Sequence, residues 1–301
     1  MKQQTVIALG FFDGVHLAHG ALLKTAVRRA QERGCLSAAF TFDRSPREVV
    51  TGERVALLTT PEERQERICG AYGVDRVIAA PFDDALRTLP WETFLTRELV
   101  ERCGAVHLVA GHDYRFGYRG EGTPERLRDY CAAHGLGCDL IERIERGGVT
   151  VSSSYIRALL AAGDVAGAAE FLGYPYTLSG TVQHGQGLGH RALVPTLNLL
   201  PDTRKLIPAR GVYATLVRLA DGREFPAVTN IGVRPSVCDA GGVTVETYLP
   251  GFSGDLYGAE VGVRFFDRLR EERKFDSLEA LRAQIEEDVQ QAERILRAPQ
   301  E

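Results

Sequence analysis

The chain has 301 residues, 44% of them hydrophobic and 25% charged, which is the composition of a soluble globular protein with room for two domains. Its 36 Lys and Arg against 40 Asp and Glu give a formal net charge of −4. That balance argues against a general nucleic-acid binder, which needs an excess of positive charge to meet the phosphates. It allows the binding of a single nucleotide, for which local backbone amides and a few cations suffice.

No apolar run approaches the length that spans a bilayer, and the first apolar stretch is too short for a signal peptide. The six cysteines form no C-x-x-C pair, and no histidine cluster has zinc spacing. We therefore expect free thiols in a reducing compartment, and a cytoplasmic protein that contacts no membrane. A homo-oligomer is compatible with the sequence.

Short apolar runs alternate with helical patterns through the first half of the chain. Strands are predicted at Val6–Leu9, 36–42, 76–80 and 106–110, with a further strand from Leu140. Helices are predicted at about 18–33, from Thr60-Pro61-Glu62-Glu63, at 90–102 and from Thr123-Pro124-Glu125. This alternation predicts a Rossmann-like parallel sheet with helices on both faces, and a ligand site at the carboxyl ends of its strands.

The pattern changes after two short helices predicted at 154–162 and 165–172. Strands then follow one another, at 213–219, 224–229, 243–249 and 260–266, and predict an antiparallel barrel or sandwich. A long amphipathic helix closes the chain, with Asp276 and Glu279 as its predicted capping box. The break at Gly173-Tyr174-Pro175 divides the chain into predicted domains 1–173 and 174–301.

A glycine- and histidine-containing loop, Gly10 to His19, lies between the first predicted strand and the first helix. The helix N-terminus offers unpaired N–H groups and a partial positive charge, and glycines let the backbone approach a phosphate closely. His16 and His19 can each donate a hydrogen bond to a phosphate oxygen as charge builds at the reacting phosphorus. The loop therefore favours direct in-line phosphate transfer, and the alternative is a turn with two incidental histidines.

This loop, Gly10-Phe11-Phe12-Asp13-Gly14-Val15-His16-Leu17-Ala18-His19, resembles the nucleotidyltransferase signature of bacterial FAD synthetase domains. The segments Gly111–Gly117 and 151–157 resemble two further motifs of that family, although serines before a helix are also plain capping residues. The resemblance implies that ATP adenylylates FMN here, with His16 and His19 as catalytic residues. It further implies a set of ATP- and phosphate-binding residues: Gly10, Phe12, Asp13, Gly14, Asp113, Ser152, Ser153, Ser154 and Arg157.

Two positions depart from this family's pattern. Ala18 stands where the family has Gly, and an added methyl group there crowds the nucleotide or is absorbed by a small backbone shift. Arg44 and Ser45 replace the Pro and His of a second family segment. These departures leave open a chain in which the adenylyltransferase activity is lost.

A second group of polar residues lies in the strand-rich half. Thr196 and Asn198 are two apart on a predicted extended segment, so they point to the same side and can hold Mg²⁺ with ATP phosphates. Glu246, in a largely apolar strand, can act as a general base toward an alcohol if it is partly desolvated. The alternative for Glu246 is an ordinary surface carboxylate. The alternating Gly185, Gly187 and Gly189 form either a phosphate-binding segment or a flexible loop.

This half resembles the riboflavin kinase module over nearly its whole length, beginning with Pro195-Thr196-Leu197-Asn198 and continuing through Glu246-Thr247-Tyr248. The resemblance implies a β-barrel in which Thr196 and Asn198 hold Mg-ATP together with Gly185, Gly187 and Gly189. It also implies that Glu246 takes the proton from the ribityl 5′-hydroxyl of riboflavin and that Arg270 lies near the flavin or phosphate.

The leading hypothesis is therefore a bifunctional transferase that uses ATP and Mg²⁺ to convert riboflavin to FMN and FMN to FAD, with release of pyrophosphate. A riboflavin kinase with a degenerate adenylyltransferase domain is the enzymatic alternative. A non-catalytic flavin- or nucleotide-binding regulatory protein is the alternative from another class.

Overall fold

The computed structural model describes residues 3–183, 196–233 and 242–297, and the chain divides into two compact units, Met1–Ser153 and Ser154–Glu301. The candidate glycines Gly185, Gly187 and Gly189 lie outside the described residues. The boundary near residue 173 stays a prediction.

The first unit is built on a five-stranded parallel sheet with the order β3-β2-β1-β4-β5. The strands are β1 (Thr5–Leu9), β2 (Leu36–Phe42), β3 (Arg76–Ala80), β4 (Ala105–Gly111) and β5 (Gly137–Ile141). A short hairpin follows, β6 (Glu145–Arg146) with β7 (Val149–Thr150). The predicted parallel sheet is confirmed.

The helices of this unit are α1 (Leu17–Arg33), α2 (Pro46–Thr51), α3 (Pro61–Tyr72), α4 (Asp84–Arg87), α5 (Trp91–Thr93) and α6 (Pro124–Ala133). A 3₁₀ turn spans Tyr118–Gly120. Gly34 ends α1 in the left-handed region (φ 63°), and Thr60 forms the predicted capping box with Glu63.

The segment predicted as a regular helix over 90–102 instead continues from α5 into a π-helix, Phe94–Arg102. Its buried side chains are Phe94, Leu95 and Leu99. The wider turn of a π-helix brings residues five apart to the same face, which places Phe94 and Leu99 together in the core.

Apolar residues cover both faces of the sheet. Along β1, Val6 and Ala8 belong to one buried cluster, and Ile7 and Leu9 belong to the other. Successive side chains of a strand point to opposite faces, so one short apolar run supplies both layers. Packing on both faces therefore holds the end of β1, where the loop from Gly10 begins.

The second unit contains a closed six-stranded antiparallel barrel with the order β10-β11-β12-β9-β8-β13. Its strands are β8 (Thr177–Gln183), β9 (Thr196–Pro201), β10 (Gly211–Leu219), β11 (Glu224–Val233), β12 (Val243–Tyr248) and β13 (Glu260–Arg270). The helices that flank these strands in sequence are α7 (Ser153–Ala162), α8 (Val165–Leu172) and α9 (Leu278–Arg297). Of the two predicted architectures, the barrel is correct.

The cap of α9 differs from the prediction by one residue. The Ser277 hydroxyl oxygen accepts a hydrogen bond from the Ala280 N–H (3.1 Å), so Ser277 takes the position expected for Asp276. Serine and aspartate are both favourable N-cap residues, and the sequence did not distinguish between these neighbours.

Polar side chains also lie inside the barrel. The hydroxyls of Thr215, Thr229 and Thr247 are fully buried and form a hydrogen-bonded row, with distances of 2.8 and 2.9 Å. Because side chains alternate along a strand, Asn230 and Glu246 point to the outer face. That outer face carries the second candidate site.

Candidate active sites

A cavity of about 690 Å³ opens at the carboxyl ends of β1, β2, β4 and β5 in the first unit. This is the edge at which the parallel sheet predicted a ligand site, and the binding of a ligand there stays a prediction. The structure brings six of the predicted residues together on the wall of this cavity: Gly10, His16, His19, Asp113, Ser152 and Ser153. Ser154 and Arg157 lie on α7 in the second unit, and their roles stay predictions.

Several lining residues were not predicted as site residues. His112, Tyr114 and Arg115 follow β4, and Glu142 and Arg143 follow β5. The signal that identifies them is their position directly after a parallel strand, since ligands of such sheets collect there. Burial raises the pKa of the Tyr114 hydroxyl well above its ordinary value, so this side chain offers a neutral donor and a flat ring to a ligand.

The loop before α1 is held in an unusual backbone conformation. Phe12 and Val15 have positive φ values (56° and 38°), as does Gly14 (81°). Both non-glycine side chains are fully buried, and this packing compensates for a conformation that L residues rarely adopt.

Phe12, Asp13 and Gly14 do not line the cavity. The Asp13 carboxylate is 2% exposed and accepts hydrogen bonds from the backbone N–H groups of Leu58 (2.9 Å) and Thr59 (3.1 Å). The Gly14 N–H donates to the Thr59 hydroxyl (3.0 Å). In this geometry these residues anchor the loop, and a direct phosphate contact by them stays a prediction.

Asp13→Ala is expected to destabilise the first unit by about 3 kcal/mol, because two buried N–H groups lose a charged acceptor. The single tryptophan, Trp91, lies in this unit and packs against Phe116 and Tyr130, so its fluorescence in a urea titration reports on this unit alone. Asp13→Asn keeps one acceptor oxygen and is the matched control, with a smaller expected loss. Equal stability of Asp13→Ala and the unaltered chain would contradict the anchoring role.

His16 occupies the N-cap position of α1 and is 5% exposed. Its Nδ1 accepts a hydrogen bond from the His19 backbone N–H (3.3 Å), so the ring proton of the neutral imidazole is on Nε2. The His16 and His19 rings stack with centroids 3.6 Å apart and an interplanar angle of 12°. In the neutral imidazole the capping contact therefore fixes the tautomer with the proton on Nε2.

The pKa of His19 lies well below its ordinary value. Burial of the ring is the main cause, and the charges of His16 and Arg64 add to it. His19 Nδ1 is buried without a hydrogen-bond partner among the residues that the structure describes. At neutral pH His19 is thus an uncharged imidazole.

We expect His19 to remain neutral in an NMR titration of the histidine rings between pH 8 and 6. The unfolded side chain protonates near pH 6.5 and the folded one does not, so stability is lost as pH falls below that value. The loss continues with falling pH until the folded pKa is reached. A midpoint for His19 at or above about 6.5 would contradict the burial of this ring.

The two departures from the family pattern lie at different places. Ala18 lines the cavity and is only half-buried, so its methyl group has space. Ser45 caps α2, where its hydroxyl oxygen accepts from the Glu48 N–H (3.4 Å). The Arg44 side chain is 66% exposed and is 3.8 Å from the Asp43 carboxylate, and Arg44 is not among the residues that line the cavity.

The second cavity, of about 260 Å³, lies on the outer face of the barrel under α9. Three predicted residues line it, Thr196, Glu246 and Arg270. In the strand register Glu246 is opposite Asn198 on β9 and opposite Asn230 on β11. Directly opposed residues have Cβ atoms about 5 Å apart, so Asn198 lies next to Glu246 although it is not among the residues that line the cavity. Thr196 is opposite Tyr248, two residues along β12 from Glu246.

Arg270 is held by a carboxylate from the terminal helix. Its Nε and Nη2 donate to Asp288 at 3.0 and 2.8 Å, and Asp288 is 2% exposed. A bidentate pair of this kind orients the guanidinium as well as balancing its charge. Sequence reasoning missed Asp288, and the signal was available: a carboxylate stands in the apolar stripe Leu281, Ile285, Val289 of α9.

Among the described residues there is no group of three or more His, Cys, Asp or Glu side chains that could hold a metal ion. Thr196 and Asn198 are not among these four residue types, but their hydroxyl and amide oxygens suit Mg²⁺ that is bound together with phosphates.

The described cysteines are free thiols: Cys35, Cys69, Cys103, Cys131 and Cys138.

One cavity lies at the carboxyl edge of a parallel sheet and the other, lined by carboxylates, lies on a barrel, which suits a transferase of phosphate-containing groups. Residues 1–155 match the FAD synthetase family, and residues 172–296 match the riboflavin kinase family. The bifunctional riboflavin kinase/FMN adenylyltransferase of Pseudomonas fluorescens is 40% identical over 98% of this chain and 93% of its own length. Its Bacillus subtilis counterpart is 33% identical over 97% and 92%. The chain belongs to this family of bifunctional riboflavin kinase/FMN adenylyltransferases.

A solved structure from Streptococcus pneumoniae, described as a macrolide-efflux protein, is 28% identical to this chain. It superposes with a TM-score of 0.88 over 97% of this chain and 95% of that one. The likeness supports the fold in both units. In the part of this chain that the structure describes, no helix has the length and apolar character needed to cross a membrane.

Proposed function

We propose that the chain phosphorylates riboflavin to FMN in the barrel unit and adenylylates FMN to FAD in the parallel-sheet unit. Family membership across both units supports the pair of activities. The observation that carries the proposal is the clustering of candidate residues in two cavities, one in each unit.

In the barrel, Glu246 is the general base. It accepts the proton of the ribityl 5′-hydroxyl, whose oxygen forms a bond to the γ-phosphorus of ATP while the bond to ADP breaks. Glu246 is half-buried, which limits hydration of the carboxylate and keeps it close to a bound alcohol. Arg270, oriented by Asp288, supplies a fixed positive charge at the same cavity.

Thr196 and Asn198 would hold Mg²⁺ with the ATP phosphates. Their hydroxyl and amide oxygens are hard ligands of the kind that this ion prefers, and they lie on the same side of β9. The ion, when bound, neutralises phosphate charge and orients the transferred group. The protein's own contribution is to place Asn198 directly opposite Glu246, with Thr196 two residues away on the same strand.

In the parallel-sheet unit an FMN phosphate oxygen attacks the α-phosphorus of ATP, and pyrophosphate leaves. The His16 Nε2–H and the amides at the start of α1 are donors for the developing charge. His19, which burial keeps neutral, stacks on the His16 ring and does not change its charge state with pH in the working range. The buried Asp13 anchor holds the loop in position.

Chromatography of flavins after incubation with Mg-ATP tests the proposal. Riboflavin should yield FMN and then FAD, and FMN supplied alone should yield FAD with one pyrophosphate per FAD. Chelation of Mg²⁺ with EDTA should stop both steps. FMN without FAD would identify a kinase with a degenerate adenylyltransferase unit, and flavin binding without any ATP consumption would identify the non-catalytic alternative.

We further propose that the chain acts in the cytoplasm. The five described cysteines are free thiols, which is the state expected in a reducing compartment. Fractionation of the source cells tests this placement, and recovery in a membrane or secreted fraction would contradict it.

A further inference from the structure

Asn230 was not assigned a role by the sequence, yet it lines the barrel cavity beside the proposed base. It lies on β11 directly opposite Glu246 on β12. Glu246 is flanked on its other side by Asn198. Two amides therefore flank one carboxylate, and only Asn198 had been assigned a function.

The orientation of the Asn230 amide is set by Glu272. The Asn230 Nδ2 donates to Glu272 Oε1 at 3.1 Å. A carboxylate only accepts hydrogen bonds, so the amide nitrogen has to face Glu272 and the amide oxygen has to face away from it. Gly232, two residues after Asn230 on the same strand, leaves space for this contact, because a Cβ there would be 2.3 Å from the same Glu272 oxygen.

The Asn230 Oδ1 atom is buried and has no hydrogen-bond partner within the described residues. A buried acceptor without a donor costs on the order of 1–3 kcal/mol, so such groups in a cavity wall point to a ligand that supplies the donor. The adjacent cavity is the one proposed to take the flavin.

We propose that Asn230 Oδ1 accepts a hydrogen bond from a ribityl hydroxyl of the substrate, namely the 4′-hydroxyl next to the one that is phosphorylated. This rests on the proposed kinase function. The reacting 5′-hydroxyl has to lie at Glu246. The Cβ atoms of Glu246 and of the directly opposed Asn230 are about 5 Å apart. The neighbouring hydroxyl of the polyol is within that reach, whereas the ring N–H is separated from the reacting end by the whole ribityl chain. Asn230 is thus a specificity-determining residue, and Glu272 is its positioning residue.

The test compares riboflavin with its 4′-deoxy analogue in the full chain, with kinase kcat/KM as the readout. Asn230→Leu preserves the approximate size and removes the acceptor, and we expect kcat/KM for riboflavin to fall by about 10- to 100-fold. The unaltered chain should lose a similar factor on the 4′-deoxy analogue. Asn230→Leu should then cause little additional loss on that analogue, because the two changes remove one interaction.

A paired exchange tests the orientation. In Asn230→Asp with Glu272→Gln, the glutamine amide donates to the aspartate, whose second oxygen again faces the cavity. This pair should recover activity above Asn230→Leu, and failure to do so would overturn the positioning role of Glu272.

Three results would overturn the assignment of Asn230: an unchanged kcat/KM in Asn230→Leu, an equal loss on riboflavin and on the 4′-deoxy analogue, or a loss confined to the KM for Mg-ATP. The small additional loss expected for Asn230→Leu on the 4′-deoxy analogue reports that the barrel of this variant is folded, and FMN adenylylation reports on the other unit. Absence of FMN from the unaltered chain would refute the proposed kinase function itself, and it is measured before any variant is compared.

Discussion

Glu246→Gln is expected to lower the rate of FMN formation from riboflavin by roughly 10³-fold while FMN conversion to FAD is unchanged. The amide is nearly isosteric with the carboxylate, so the barrel packing is preserved. It cannot accept the proton of the ribityl hydroxyl, and the loss should appear in kcat. Initial rates with each flavin supplied separately provide the measurement.

Glu260→Gln is the matched control, because Glu260 is an exposed barrel carboxylate outside the cavity. It should leave both activities at the level of the unaltered chain. If Glu246→Gln kept full kinase activity, Glu246 would be an ordinary surface carboxylate, as the sequence alone allowed. Loss of both activities together would mean that the substitution damages the whole chain.

His16→Ala is expected to have the reverse effect. FAD formation from FMN should fall by roughly 10²-fold or more, because a positioned donor to the developing phosphate charge is removed. FMN formation from riboflavin should be unaffected. The same change removes the N-cap of α1 and should lower the stability of the first unit by about 1 kcal/mol.

His16→Asn separates these two effects. Asparagine is a good N-cap, so the urea midpoint reported by Trp91 should be close to that of the unaltered chain. The imidazole is still absent, so adenylylation should remain impaired. Full adenylylation activity in His16→Asn would show that His16 acts only as the N-cap of α1.

The parallel sheet and the barrel were both accessible from the sequence, because apolar runs and turn residues mark strands locally. The first cavity was accessible for the same reason: Gly10 and Asp113 each follow a predicted strand, and parallel strands end at the same edge. What could be predicted was the kind of element and the edge at which a ligand would lie.

The remaining features depend on contacts between distant segments. Asp13 is bound by backbone groups of Leu58 and Thr59, about 45 positions away in the chain, and no local pattern marks that contact. The Asn198–Glu246–Asn230 row depends on strand register, which a shift of one residue would destroy. The fold therefore supplied the pairing that gives these side chains a shared site.

Ala18 stands where the family has Gly, and the structure shows that its methyl group has space. From the sequence it was the main reason to consider a degenerate adenylyltransferase unit. In the structure its methyl group lies on the cavity wall with partial exposure, and the loop before it is held by buried contacts of Phe12 and Asp13. Nothing in the described geometry favours loss of this activity.

The central claim is that one chain carries two separate sites joined by FMN. It is tested most directly by mixing Glu246→Gln with His16→Ala and supplying riboflavin and Mg-ATP. Neither variant alone should produce FAD at an appreciable rate. The mixture should produce it, since His16→Ala makes FMN and Glu246→Gln adenylylates it. No FAD from the mixture, although each variant retains its own remaining reaction, would contradict two independent sites.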